Sequence, residues 1–191
     1  IEEVKVALLD QNTIEHKLLL ANIHRWVGES QQADKYYREL ISAEQVAEPE
    51  VWLNYADNFR AQGQEEQALE ALTQGLTVYP TNANLHYSKA LTLVRMSNKN
   101  DAAKSMNTAA TLANDNSYFW YLNGVLQQPL DIELSIVSFE RAYLLSGSPE
   151  QLYALCDIYM RTKHERSNDC LAELKQIAPE SVIEQLEQKY E

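Results

Sequence analysis

The sequence predicts an all-α solenoid, on two observations of spacing and one of composition. Small residues recur at Ala21, Ala56, Ala90, Gly124 and Cys156, in steps of 35, 34, 34 and 32. A second series, Ala33, Ala68, Ala102 and Ser135, trails the first and steps by 35, 34 and 33. A fixed period near 34 residues marks an array of helix-turn-helix units, each resting on its neighbours. Only five glycines and five prolines occur among 191 residues, which leaves long stretches free to form helix.

The clearest unit runs from Pro49 to Asn82. Val51, Tyr55 and Phe59 fall at i, i+4 and i+8, with Trp52 and Ala56 on the adjoining stripe of the same helix. Gln62-Gly63-Gln64 is the turn, with Gly63 free to take the left-handed conformation that ends a helix. A second helix carries Ala68, Leu69, Leu72, Gly75 and Leu76, and Pro80 closes the unit. Ala56 and Ala68 are expected to face each other, so that the two axes approach closely.

Trp52, Tyr55-Ala56, Phe59, Ala68, Leu72, Gly75 and Pro80 together resemble the signature of the tetratricopeptide repeat, with Gly75 where the family usually carries alanine. The resemblance extends over most of the chain and weakens towards its ends. Residues 83–116 keep Ala90, Leu93, Ala102, Met106 and Ala109, with His86 in the tryptophan position and Asn114 in that of the proline. Residues 117–148 keep Trp120, Gly124, Ser135, Phe139 and Ala142; they are shortened near Gln128-Pro129-Leu130, where a tighter turn is expected. Residues 14–48 keep Ala21, Gly28, Ala33, Tyr37 and Leu40, with Lys17 replacing the aromatic. Residues 149–180 keep Cys156, Tyr159, Leu171 and Leu174. The resemblance implies a right-handed α-α superhelix of about five repeats in a single domain, ended by a capping helix over 181–191.

Both ends carry local signals. Ser148-Pro149-Glu150-Gln151 reads as a helix start with a capping box, and Ser181-Val182-Ile183-Glu184 repeats the device. Ile183, Leu186 and Tyr190 form the apolar stripe of the last helix. Residues 1–13, with Ile1, Val4 and Leu8 at helical spacing, read either as half of an upstream repeat or as a linker helix. The start has no initiator Met and no basic leader, so the chain is expected to be a piece of a longer protein.

Charge narrows the partners. A formal net charge of −12 argues against nucleic acid and against an anionic membrane surface. No apolar run approaches the roughly 20 residues needed to span a bilayer. Repulsion between copies favours a monomer.

Chemical signals are weak. His16, His24, His86 and His164 form no ligand motif, and no cluster has metal-ligand spacing. His24 replaces an inward aromatic and is expected in the core or at the hairpin interface; His164 is expected to be solvated in a turn. Ser135 and Ser148 have no triad partners, and Glu65-Glu66 read as helix-start charges. No catalytic residue, cofactor or metal is expected. Cys156 and Cys170 fall on two helices of one hairpin, where either a single bridge or two buried thiols is open; the thiols are the preferred reading.

The resemblance implies that first helices line a concave wall. The side chains not used in hairpin packing would be Leu18, Asn22 and Trp26 in the first repeat, then Leu53, Asp57 and Arg60 in the second. Tyr87, Leu91 and Arg95 follow in the third, and Tyr121 and Val125 in the fourth. This mixture suits a peptide or helix of a partner protein, basic or amphipathic by charge complementarity. Family members that clamp the acidic tails of heat-shock chaperones use lysine, asparagine and arginine. Here Leu18, Asn22, Asn54, Asn84 and Ser88 occupy those sites, without a cation. The implied function is a non-catalytic binding scaffold. The alternative is a positioning domain of a larger protein, such as an envelope or cytochrome-maturation factor, by analogy with repeat proteins of bacterial envelopes. The compartment is open between cytoplasm and periplasm, leaning to the periplasm.

Overall fold

A computed structural model describes residues 13–42 and 48–190. Among them are eleven helices and no strand. The expected helix over residues 1–13 lies almost wholly outside the described residues. The helices are α1 (Ile14–Trp26), α2 (Ser30–Ser42), α3 (Pro49–Ala61), α4 (Glu65–Val78), α5 (Ala83–Arg95), α6 (Lys99–Leu112), α7 (Ser117–Gln127), α8 (Ile132–Ser146), α9 (Pro149–Thr162), α10 (Ser167–Ile177) and α11 (Glu180–Gln188). The chain divides into two compact units, 1–105 and 106–191, with the division inside α6.

In the first unit α1 to α5 pack in sequence, α1 also touches α3, and α3 touches α5. That is the arrangement a tandem array requires, since each hairpin must cover the apolar face of the next. Its core gathers Tyr37, Leu40, Trp52, Tyr55, Leu72 and Leu85 around Ala21, Ala33, Ala56 and Ala68. Ala21, Ala33, Ala56, Ala68, Ala90 and Ala102 are all fully buried. At the turns, Gly28 has φ +82° and Gly63 has φ +70°; Ser97 takes the same left-handed conformation at φ +61°. The period found in the small residues is thus repeated in the backbone, although Ser97 gives no sign of it by residue type.

In the second unit α7 packs on α8, α8 on α9, α9 on α10 and α10 on α11. Here the pairing of small residues is direct: Ser135 Oγ donates to the Gly124 carbonyl at 2.7 Å. A Cβ on Gly124 would lie 2.8 Å from the Phe139 ring, which rests against the helix at that point. The interior of this hairpin is partly polar. Asn123 is fully buried and donates to Ser138 Oγ at 2.9 Å and to Asn107 Oδ1 at 3.2 Å, while Gln127 donates to Asn123 Oδ1 at 3.4 Å.

Several expectations need correction. The shortening in residues 117–148 is taken from the helix and not from the turn: α7 has 11 residues where α1, α3 and α5 have 13, and the link 128–131 is no tighter than 62–64. Ser148 does cap α9, accepting from Gln151 N–H at 3.3 Å, but the reciprocal bond is replaced. Ser148 N–H donates to Ser146 Oγ at 3.0 Å, and Ser146 in turn donates to Gln151 Oε1. Ser181 is no cap, because α11 begins at Glu180 behind Pro179. Cys156 and Cys170 are not free thiols: they form a disulfide that ties α9 to α10. His164 is not simply solvated, since its ring stacks on Tyr159 with centroids 4.2 Å apart.

Candidate interaction surface

The expected first-helix residues fall into distinct environments. On α1, Leu18 packs against the core, and Asn22 accepts a 2.7 Å hydrogen bond from the buried Tyr37 hydroxyl. Trp26, at the end of the same helix, is 80% exposed. An indole in that position buries almost none of its large apolar surface within the chain.

On α3, Leu53 also packs on the core, and Asp57 pairs with Arg60 one turn later. Arg60 reaches across to α5, donating to the Ser88 carbonyl and Thr92 Oγ1 at 3.5 Å each. Arg60 is therefore a tie between successive first helices. Tyr87 and Leu91 on α5 are half-buried. Arg95 reaches the second-helix side, where its Nε donates to Glu65 Oε1 at 2.6 Å. Glu65 thus does more than complement the dipole at the start of α4.

In the second unit Tyr121 lies against Phe139, with ring centroids 5.7 Å apart, and belongs to the packing of α7 on α8. Val125 is exposed. Asn22, Leu18, Leu53 and Tyr121 consequently hold the fold together as much as they present a surface. The hydrogen bond between Asn22 and Tyr37 was not legible, because nothing in spacing tells an amide at a groove from one at a hairpin seam.

Among the described residues no group of three or more His, Cys, Asp or Glu is arranged to hold a metal ion. No described helix is long and apolar enough to cross a membrane.

Comparison with known proteins places this geometry. Residues 49–82 match the family model for the tetratricopeptide repeat. The chain carries a tetratricopeptide repeat. No curated protein matches it significantly in sequence. Solved structures of tetratricopeptide fold are similar to it over most of its length. A crystal structure of MamA aligns with a TM-score of 0.67 at 16% identity, covering 89% of this chain and 95% of that one. A MamA fragment from Desulfovibrio magneticus gives 0.67 at 15% identity, covering 93% and 97%. YrrB, described as a tetratricopeptide protein with an unusual peptide-binding site, gives 0.72 at 14% identity, covering 97% of each chain. At these identities the likeness establishes the fold: an all-helical tetratricopeptide scaffold, an architecture of protein-interaction modules in general.

Proposed function

We propose that the chain is a non-catalytic scaffold that takes a peptide or helix of a partner protein along its first helices. Trp26 carries this reading, as a large aromatic side chain left 80% exposed where the resemblance to tetratricopeptide repeats puts a groove. Tryptophan and tyrosine are among the residues that dominate binding hot spots, and Tyr87 follows on α5, whereas Arg95 is turned to Glu65. The net charge of −12 favours a basic or amphipathic partner and a monomeric scaffold, and disfavours nucleic acid. In the second unit, Val125 is exposed on the first helix of its own hairpin.

The second reading is a positioning domain within a larger protein such as an envelope or cytochrome-maturation factor, and one observation bears on the compartment it would need. The disulfide between Cys156 and Cys170 suits an oxidising compartment such as a periplasm.

The test is affinity capture from the native organism, comparing the wild type with a Trp26→Ala/Tyr87→Ala variant. Loss of a captured partner with helical circular dichroism intact is the expected outcome. Retention of the partner by the variant moves the contact surface elsewhere.

A further inference from the structure

A cleft of about 560 Å³ opens in the first unit between α2 and α4, and none of the first-helix surface residues lines it. Its size is within the usual range for ligand sites, roughly 300–1,000 Å³. Tyr55 and Phe59 of α3 contribute aromatic rings to its lining, 4.6 Å apart between centroids. Gln31 lines it from α2, and Gln67 and Gln74 from α4.

The two carboxylates of the cleft differ. Asp34 is already satisfied: Arg38 Nε lies 3.0 Å from it, and the Tyr55 hydroxyl donates to it at 2.8 Å. Glu70 receives only the amide of Gln74, at 3.3 Å, and no cation pairs with it among the described residues. Tyr55 is nearly buried, with its hydroxyl between Asp34 and Arg38, which also lines the cleft. The half-buried Phe59 ring and Glu70 are therefore the features of the lining left to a guanidinium, which stacks on rings and donates in a fork to carboxylate oxygens. Glutamine amides carry both donors and an acceptor, so those on α2 and α4 match the alternating N–H and C=O groups of an extended backbone. A second copy of this acidic chain is disfavoured by repulsion.

We infer that the α2–α4 cleft binds an extended, arginine-bearing peptide segment of a partner protein, with the guanidinium on Glu70 in the cleft that Phe59 also lines. The site is separate from the first-helix surface and stands or falls independently of it.

The experiment is fluorescence anisotropy with a labelled decapeptide of alternating arginine and serine. The wild type is expected to bind in a salt-sensitive manner. Glu70→Gln is expected to weaken binding about tenfold, as loss of a charge-assisted hydrogen bond does. Glu165→Gln, which removes the same charge from an exposed turn, and Trp26→Ala are expected to leave it unchanged. Helical circular dichroism verifies that each variant is folded. Four results overturn the inference: no binding by the wild type; equal weakening by Glu70→Gln and Glu165→Gln, which reports bulk charge; loss on Trp26→Ala, which places the peptide on the first helices; or displacement by free arginine at the peptide's own concentration, which denies any role to the backbone.

Discussion

Trp52 lies so close to Gly75 that a Cβ built on the glycine would stand 2.8 Å from Trp52 Cγ and 2.9 Å from its Cβ. Those atoms are at the root of the indole side chain, where a rotamer change gives little relief. The departure from alanine at this position therefore has a local cause: the indole of α3 occupies the space that a methyl group on α4 would need. Gly75→Ala should gain about 1 kcal/mol of helix propensity and lose about 1–3 kcal/mol to overpacking. A lower midpoint in thermal unfolding is expected. A higher one would mean that the two helices part without cost.

The disulfide closes a loop with a sequence separation of 14 and ties together two buried positions. Loss of such a cross-link costs about 3 kcal/mol in the chain-entropy account. Urea unfolding with and without a reductant measures this directly, and the midpoint should fall when the bridge is opened. The Cys156→Ala/Cys170→Ala variant should match the reduced wild type. Coincident curves for oxidised and reduced protein would show that packing of α9 on α10 suffices.

Alkaline pH should weaken the second unit. Burial, then the hydrogen bond to Glu140, raises the Tyr159 hydroxyl well above its ordinary value near 10. The hydrogen bond to Glu173 raises Tyr143, and the contact with Asp157 raises Lys189. Each group keeps its proton longer when folded than when unfolded, so the folded state holds more protons above pH 10. Stability is complete below the unfolded values and falls as pH rises through the folded ones. Unfolding midpoints should decline above about pH 10, the ordinary tyrosine value. Tyr159→Phe should show a shallower decline, and an equal slope would assign the effect to other groups.

Fold and site were not equally legible. The fold was readable because helix contacts need small residues at fixed intervals, and every residue of the two small series is buried. The turn at Ser97 was hidden, since serine does not advertise a positive φ. The surface was read less well. Periodicity tells which face of a helix points away from its hairpin partner, and that face holds Trp26 and Val125, both exposed. It does not tell whether a polar side chain there reaches a neighbour, as Arg60 does towards Thr92. The α2–α4 cleft left no periodic trace, because its walls come from two repeats and its glutamines are ordinary helix-surface residues.

The amides inside the α7–α8 hairpin have one further consequence. Two oily helices can slide past each other by a turn and still exchange one hydrocarbon contact for another. With Asn123 engaged by Ser138 and Asn107, any such slip strands an amide in a dry seam. The polar trio fixes the axial alignment of the two rods and leaves this hairpin a single way to close.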